Sequence, residues 1–450
     1  GRHSVSGAGG ELRAVAEDEE SAAASRLASF VERHRVLLNA LIRQNPGLLD
    51  RSLSPLVKIA RCRAALDFDN KRAYFRQALK RQRQAASRRH GSLRMGVRRS
   101  MVMQDSFQQT HMRSAEEMRG RLHITFNGEE GIDAGGLTRE WYSCLAKEIF
   151  NAGYCLFKPA SDGATFQPNP ASGINVDHLD YFKFVGRIIG KAIADGQMLD
   201  AHFTRSFYKH ILGIHVEVDD LEAIDPEYYK NLKQVLEHPL DMLGLELTFS
   251  AETRTEWGKD QVEDLVPGGS NIAVTDENKH EYVRLISRHR MTTGIKSQIE
   301  AFLDGFHELV SPDLISLFNE KELELLISGL PEIDLADLEA NTDYNNFKAS
   351  DPQIIWFWNT MKSLNHEEKA LFLQFVTGTS KVPIEGFSNL QGMRGVQKFN
   401  IHKAFGSKGG LPQAHTCFNQ LDLPEYTSEE QTREKLLMAL REGSEGFAFG

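Results

Sequence analysis

The stretch that most constrains this chain runs from Leu411 to Pro424 and reads LPQAHTCFNQLDLP. It carries one cysteine, Cys417, with a histidine two residues before it and an asparagine two residues after it. A proline stands near each end, and proline is disfavoured in the interior of a long helix. The segment is therefore predicted to be a held loop, and a cysteine presented on such a loop is the first candidate for covalent chemistry.

Length and composition are those of an ordinary globular protein. The 450 residues suffice for about three domains, and the 41% apolar and 26% charged residues are typical of soluble chains. No uncharged apolar run approaches the ~20 residues that span a bilayer, and the small, polar start is not a signal peptide. The sequence therefore predicts a protein without a membrane segment, inside the cell in the cytoplasm, the nucleus or both.

Charge is unevenly distributed. The net charge of −9 argues against nucleic-acid binding by the whole chain, but Lys71 to Arg99 contains eleven Lys or Arg and no Asp or Glu. This stretch is either a nuclear-localisation or nucleic-acid patch, or a solvated helix face followed by a basic loop. It lacks the interleaved aromatic residues that single-strand binding needs. Nucleic acid is therefore not expected as a partner of the region around Cys417.

The other three cysteines are Cys62, Cys144 and Cys155. They form no CxxC pair and have no histidines at zinc-ligand spacing. We interpret them as small buried apolar residues. The sequence therefore predicts no disulfide framework, no metal site and no organic cofactor.

Changes in composition and in hydrophobic periodicity divide the chain into segments. Residues 1–25 are rich in Gly, Ala, Ser and acidic side chains and are predicted to be a disordered lead. Residues 26–110 form a helical extension with the basic stretch, and residues 111–329 continue with mainly helical patterns and a few β-like runs. A hinge over residues 330–336 leads to a small α+β unit, residues 337–450, that contains the cysteine loop.

The run GRIIGKA contains Gly186 and Gly190 and falls short of a phosphate-binding loop by one spacing residue and the hydroxyl. It lies in a predicted helix from His178 to Asp195, which Gly196 closes. The two glycines are therefore predicted to allow a close helix crossing.

A thiol at the reference pKa of ~8.5 is partly thiolate at neutral pH and is the strongest common side-chain nucleophile. It exchanges with a thioester without a dedicated base, because one sulfur replaces another of similar basicity. Passing the acyl group to a lysine is harder, because an amine of pKa ~10.4 must first lose a proton. The carboxylates in reach by sequence are Asp422, Glu425 and the terminal group of Gly450. His415 either serves as a base or only shapes the loop.

A thiol hydrolase is the competing chemistry. A papain-like order requires a histidine after the cysteine, and none follows Cys417. An order with the histidine first stays open, with His402 or His366 as the base.

Long motifs along the chain resemble the HECT-type ubiquitin-protein ligases over roughly residues 122–450. They are DAGGLTREW, YFKFVGRIIGKAI, FTRSFYKHILG, PGGSNIAVTDENKHEYV, ELELLISGLPEID, IIWFW, LQFVTGTSKVP and LPQAHTCFNQLDLP. Upstream, LDFDNKRAYFRQ is similar to the very large Mule-type ligases and their fungal relatives. On that resemblance, the chain is the C-terminal end of a much longer protein.

The resemblance implies a two-step acyl transfer. Ubiquitin moves from the thioester of a ubiquitin-conjugating enzyme to Cys417 and then to a lysine of a protein substrate. The implied fold is α+β and bilobal, with a mainly helical N-terminal lobe (residues 111–329), a conjugating-enzyme-binding subdomain (about 227–313) and a small C-terminal lobe. The alternatives are a ubiquitin-binding scaffold module with an idle cysteine, and a cysteine hydrolase that acts on ubiquitin conjugates.

The resemblance also assigns roles to residues outside the cysteine loop. Tyr282 and Ile286 are implied to contact the conjugating enzyme, and Phe166 is implied to lie near a non-covalent ubiquitin site. Phe447, the fourth residue from the end, matches the phenylalanine that sets the lobes for lysine attack. The hinge is implied at Gly329-Leu330-Pro331.

Within the loop, the resemblance places His415 and Thr416 immediately before the catalytic cysteine. It gives Asp422 the role of an orienting group or base for the lysine. A separate expectation concerns the first ~110 residues, whose helices are rich in both arginine and apolar side chains and are predicted to pack on the large lobe or to self-associate.

Overall fold

The structure is a computed structural model that describes residues 23–129, 136–254, 260–329, 331–378, 380, 382, 386–392, 395–404 and 409–442. The first half of the chain is mainly helical. Its elements are α1 (residues 23–33), α2 (Arg35–Gln44), α3 (Pro55–Lys58), α4 (Ala60–Arg63), α5 (Phe68–His90), β1 (Ser92–Val97), α6 (Val102–His111), α7 (Ala115–Met118), β2 (Arg121–Phe126), α8 (Gly136–Ile149), β3 (Phe157–Pro159), β4 (Phe166–Pro168), α9 (His178–Asp195) and α10 (Arg205–Leu212).

The second half mixes helices with short strands. Its elements are α11 (Pro226–Glu237), α12 (Leu240–Leu243), β5 (Ser250–Arg254), β6 (Asp260–Asp264), α13 (Lys279–Met291), α14 (Lys296–His307), α15 (Pro312–Ile315), α16 (Glu320–Ser328), α17 (Leu335–Ala340), β7 (Asp343–Asn345), α18 (Pro352–Ser363), α19 (His366–Thr377), β8 (Gln391–Gly392), β9 (Gly395–Val396), β10 (Asn400–Ala404), β11 (Gln413–His415), β12 (Gln420–Pro424) and α20 (Glu429–Glu442).

The chain divides into two compact units. The first contains the described residues up to Gln82 together with Asp313–Phe318, and the second contains Arg83–Pro312 and the chain from Asn319 onward. Residues 23–25, predicted to belong to a disordered lead, are already helical. Alanine has the highest helix propensity, and the run of alanines there extends α1 toward the N-terminus.

A buried asparagine organises the first unit. The side chain of Asn39 donates to the carbonyl oxygen of Ala65 (2.7 Å) and accepts from the amide of Asp67 (2.8 Å). The ring of Phe75 meets that of Phe318 edge to face, with 5.1 Å between centroids. These contacts give the unit a core of its own.

The second unit begins with an element that the sequence analysis missed. Ser92–Val97, where a basic loop was the expected alternative, is a strand that pairs in parallel with Arg121–Phe126. Leu93, Met95 and Val97 are buried on one face of this strand. The division at Gln82 therefore differs from the predicted division at residue 110, because β1 and α6 belong to the unit that contains β2.

Helices α9 and α14 cross at very short distance, as the glycines predicted. A Cβ atom at Gly186 would overlap the backbone oxygen of Phe302, and one at Gly305 would overlap that of Lys183. Only glycine permits this approach of two backbones. The helix α9 also ends where predicted, at Gly196 in the left-handed conformation.

The subdomain between these helices has a separate core. Its buried cluster extends from Leu221 to Met291 and includes Val235, Phe249 and Val283. The predicted subdomain, residues 227–313, also included α14. In the structure, the glycine crossing packs α14 against α9.

The C-terminal part is a small α+β fold, as predicted. Four strands form a sheet in the order β11-β12-β10-β7, in which β7, β10 and β12 are parallel and β11 is antiparallel to β12. Helices α18, α19 and α20 bury Phe357, Phe372 and Leu436 with Leu421 and Leu423 of β12. This core lies wholly between Leu338 and Leu440. Among the described helices, none is both long enough and apolar enough to cross a membrane.

The glycine crossing can be tested by substitution. Gly186→Ala is expected to lower the free energy of unfolding by about 1–3 kcal/mol, because the new Cβ would force the two helices apart. At Gly190 the new Cβ would lie 3.1 Å from the backbone oxygen of Phe306, and the ~1 kcal/mol helix-propensity gain of alanine would offset much of the crowding. Urea denaturation compares the two variants, and equal stabilities would contradict the close crossing at Gly186.

Candidate active site

The predicted cysteine loop is the tip of a β-hairpin. Strands β11 and β12 are joined by a single 3-10 turn, Thr416–Phe418, and by Asn419. Cys417 lies in the middle of that turn, and its side chain lies outside the described residues. The loop prediction is correct for the turn itself, but its flanks are paired strands.

Asn419 fixes the turn to the sheet. Its backbone is left-handed (φ 47°), a conformation that asparagine adopts more readily than most residues. Its side chain is buried and donates to the carbonyl oxygen of Gln397 (2.7 Å), while its own carbonyl accepts from the amide of Asn400 (2.9 Å). The cysteine is therefore presented on a backbone whose position is set by β10.

His415 and Asp422 come together on the outer face of this hairpin. The imidazole Nε2 lies 3.2 Å from Oδ2 of Asp422, whose other oxygen accepts from the amide of Gln420 (2.6 Å). Alternation along the strands turns Ala414 and Leu421 to the core and leaves the polar residues outside. Both members of the pair remain partly exposed, so a carboxylate that orients a histidine is open to solvent near the cysteine.

The polar face continues across the sheet. His402 is opposite Asp422 in the β10–β12 register, and Asn400 is opposite Gln420. A shallow groove of about 400 Å³ is lined by His402, Asn400 and Gln420 and extends to the side chain of Phe418. His402, the alternative base considered for a hydrolase, thus lies in register with Asp422.

Thr416 faces the N-terminal lobe. With Gly378 it lines a crevice whose other wall includes Asp162, Thr204 and Arg205. A Cβ atom at Gly378 would lie 3.5 Å from Cβ of Thr416. The residue before the cysteine is therefore in contact with the turn that follows α19.

The predicted hinge is only partly described. Helix α16 ends at Ser328, and Gly329 follows with a positive φ of 86° beside the sulfur of Met198. Leu330 lies outside the described residues, and Pro331 is half-buried. With ψ at 175°, Gly329 is in a backbone region that essentially only glycine adopts, so the path of the chain here depends on it.

The residues assigned to the conjugating enzyme lie inside the subdomain. Tyr282 and Ile286 are 6% and 3% exposed and belong to its buried cluster. They border a cleft of about 890 Å³ between α13 and the β3–β4 hairpin. Both side chains belong to the face of α13 that packs on the subdomain core, and their contact with the conjugating enzyme stays a prediction.

Phe166 and Phe447 are the two remaining residues to which the resemblance assigns roles. Phe166 is half-buried at the start of β4 and stacks on Phe150, with 4.4 Å between ring centroids. Its amide and carbonyl bond to the backbones of His202 and Thr204, which gives it a packing role. Phe447 lies outside the described residues.

Of the three other cysteines, all predicted to be buried, Cys62 is buried and the other two are not. Cys62 is buried, and burial raises the pKa of its thiol. Cys144 and Cys155 are half-buried, and all three are free thiols. Within the part of the chain that the structure describes, no group of three His, Cys, Asp or Glu is arranged to hold a metal ion.

Asn419 is the residue of this site whose role the sequence analysis missed. The signal was present, since two short alternating runs, QAH and QLDL, flank a turn that ends in asparagine. The strands were missed because each is only three to five residues long.

Comparison with known proteins covers most of the chain. The HECT-domain (ubiquitin-transferase) family model matches residues 143–450. The chain is similar to the E3 ubiquitin-protein ligases UPL1 of Arabidopsis thaliana, HUWE1 of Mus musculus and TOM1 of Saccharomyces cerevisiae. The identities are 56%, 51% and 48%, each over 93% of this chain. The chain spans only 10–13% of the length of these three relatives.

The left-handed backbone of Asn419 predicts that its alanine and glycine variants differ in their free energy of unfolding. Asn419→Ala is expected to lower the free energy of unfolding by about 2–3 kcal/mol, because alanine disfavours the left-handed backbone and the bond to Gln397 is lost. Asn419→Gly keeps the turn and loses only the side-chain bonds, so its loss is expected to be smaller. Urea denaturation compares the two, and an alanine variant as stable as wild type would contradict this role.

Proposed function

The chain belongs to the HECT-domain family of ubiquitin-transferases, and we propose that it forms a ubiquitin thioester on Cys417 and passes the ubiquitin to a lysine. The observation that carries this proposal is the cysteine on the fixed tip of a hairpin, inside the region that the family model matches. Because the chain spans about a tenth of its relatives' length, the donors, substrates and partners of the whole protein are part of the proposal.

The first step is an exchange of thioesters. The Cys417 thiolate attacks the carbonyl carbon at the end of ubiquitin, which is held as a thioester on a ubiquitin-conjugating enzyme. The new carbon–sulfur bond forms as the old one breaks, and the thiolate of the conjugating enzyme leaves. Since the two sulfurs have similar basicity, no dedicated base is needed.

The second step forms an isopeptide bond. A lysine amine attacks the thioester carbon, the Cys417 thiolate leaves, and the ammonium proton goes to a base. Asp422 is the proposed base or orienting group, because its carboxylate is partly exposed on the face of the hairpin tip and is held by Gln420 and His415. Glu425, the next carboxylate, instead forms an ion pair with Lys403.

The proposed partners are ubiquitin, a ubiquitin-conjugating enzyme and protein substrates. For the conjugating enzyme, the subdomain offers exposed apolar side chains, among them Met242, Leu245, Val262 and Ile272. Tyr282 and Ile286 belong to the buried cluster of the same subdomain, and their contact with the conjugating enzyme stays a prediction. A ubiquitin contact near Phe166, lobe setting by Phe447 and a hinge at Gly329-Leu330-Pro331 stay predictions.

The first unit adds a prediction about assembly. Its first two helices carry four exposed apolar side chains, Phe30, Val36, Leu37 and Leu41. Exposed apolar side chains of this kind suit self-association, in line with the role expected for the N-terminal helices. Location in the cytoplasm or the nucleus also stays a prediction.

The first experiment is a non-reducing gel after mixing the chain with charged conjugating enzyme. Wild type is expected to form a ubiquitin adduct that thiol reductant removes, Cys417→Ala to form none, and Cys417→Ser to form a reductant-resistant ester. Labelling of Cys417 by a ubiquitin-based electrophile without any adduct would favour a cysteine hydrolase, with His402 as the candidate base. Reaction of neither kind would favour a scaffold with an idle cysteine.

The base is tested by a pulse–chase assay of lysine discharge. Asp422→Asn is expected to slow discharge at neutral pH by about 100-fold or more, the usual contribution of a positioned base, with little change in loading. The loss should shrink as the pH approaches the lysine pKa, because the amine then loses its proton to water.

Glu425→Gln is the matched carboxylate control for this assay. It is expected to discharge at the wild-type rate, because Glu425 is paired with Lys403. Equal effects of the two substitutions, or a loss at Asp422 that does not depend on pH, would contradict the assignment of the base.

A further inference from the structure

A buried carboxylate joins the helix before the hinge to the C-terminal lobe. Glu324 lies on α16 and is 4% exposed. One oxygen, Oε1, accepts from the amide (2.8 Å) and the hydroxyl (3.0 Å) of Ser380, and Oε2 accepts from the side-chain amide of Gln374 (2.7 Å). Both donors follow the hinge in sequence. A carboxylate is acceptor-only, and here each of its oxygens is occupied by a group of the other lobe.

The N-terminal lobe holds the same carboxylate from the opposite side. Nδ1 of His202 lies 3.0 Å from Oε1 of Glu324. Burial by itself would lower the pKa of His202, but Asp200 and Glu324 raise it above its ordinary value. The histidine thus fixes the carboxylate against the segment that continues to Thr204 and Arg205.

The groups that Glu324 holds lead directly to the cysteine turn. Gln374 is in the last turn of α19, and its backbone carbonyl accepts from the amide of Gly378 (2.9 Å). Gly378 is in turn packed against Thr416, the residue before Cys417. Glu324 is therefore connected to the cysteine turn through the end of α19 and the contact of Gly378 with Thr416.

The crevice brings the residue before the cysteine back to the segment of the N-terminal lobe that contains His202. Thr416 faces Thr204 and Arg205, which follow His202 in the chain. The same crevice wall carries the carboxylates of Asp162 and Glu222. With Arg205, this wall therefore carries two carboxylates and one guanidinium.

We propose that Glu324 is a positioning residue, which clamps the C-terminal lobe in the arrangement that performs transfer to lysine. It acts through Ser380, Gln374 and Thr416, and touches neither the thioester nor the amine. The inference rests on the proposed function, since it assigns a step of that reaction to this arrangement. Loading by the conjugating enzyme does not require the clamp.

The chemistry of the clamp suits repeated opening. When the lobes separate, the carboxylate and its donors exchange their bonds for bonds to water, so the net change is small compared with the cost of exposing an apolar interface. In addition, Oε1 of Gln374 is buried and meets no donor among the described groups. An interface with such a group is less stable than a fully satisfied one, which favours release after each transfer.

The experiment separates loading from discharge in the chain as it stands. Loading is measured with charged conjugating enzyme, and discharge by chasing the preformed thioester with a lysine acceptor. Glu324→Gln is expected to slow discharge roughly 10- to 100-fold, the effect of a small misplacement of reacting groups, while loading stays within about twofold of wild type. Cleavage of the thioester by hydroxylamine, which needs no lobe arrangement, is expected to be unchanged.

Two further variants serve as comparisons. Gln374→Met keeps the side-chain length and removes the amide that donates to Glu324 and to the backbone carbonyl oxygen of Lys321. The bonds between Glu324 and Ser380 stay, so this variant is expected to slow discharge in the same direction but less. Gln374→Met also tests the clamp if Glu324→Gln does not fold. Glu434→Gln removes an exposed carboxylate of the C-terminal lobe and is expected to behave as wild type in both steps.

The other possible results would contradict the positioning role, the step assigned to it or the proposed function. Discharge at the wild-type rate in both clamp variants, or equal losses in loading and discharge that follow a loss of thermal stability, would overturn the positioning role. Slower loading with normal discharge would assign the clamp to the wrong step. If wild type and Glu434→Gln both fail to load, the proposed function itself fails and this inference falls with it.

Discussion

The close crossing of α9 and α14 is the constraint on which the larger lobe depends. These helices are far apart in sequence, yet Gly186 and Gly305 let their backbones touch. The chain between the two helices must therefore begin and end at the same place. That segment contains the subdomain with the Leu221–Met291 cluster. Its two ends are anchored on a rigid pair, while its own core is separate. A partner that docks on the subdomain is thus carried by an element that is tethered at both ends to the lobe bearing the crevice.

In the C-terminal lobe, the main constraint is the position of the turn that carries Cys417. A nucleophile needs an exposed position on a backbone that does not move. The structure fixes the backbone there with a tight turn at the end of β11, where Asn419 bonds to Gln397 and Asn400. The described side chains that face solvent on this hairpin are polar, and those that face inward complete the core. One face of the short hairpin therefore anchors the turn, and the other presents polar groups to solvent.

How much the sequence could predict depends on whether the deciding interactions are local. Gly196 ends α9 through its own backbone conformation, and this was predicted correctly. The strand Ser92–Val97 was missed because a parallel strand is stabilised by a partner that comes later in the chain. Tyr282 and Ile286 were placed on the correct helix, and their contact with the conjugating enzyme stays a prediction. The apolar period of a helix indicates which face turns inward, but it does not indicate which side chains of that face border a cleft.

The same distinction explains why the clamp could not be found in the sequence. Glu324 stands in the run KELELLISGL, which was interpreted as an ordinary helix, and glutamate is rarely buried. Its role exists only because Ser380 and Gln374 return to it from beyond the hinge. Glu324 precedes Gly329 by five residues, about 7.5 Å along a helix. Glu324 on α16 is therefore close to the predicted hinge, which begins just beyond the end of that helix. A small rotation at such a hinge would move the clamp bonds little but would displace the more distant Cys417 turn by more. The clamp must therefore hold the lobe angle within narrow limits to place the thioester, and charged hydrogen bonds with strict geometry suit that task better than apolar packing.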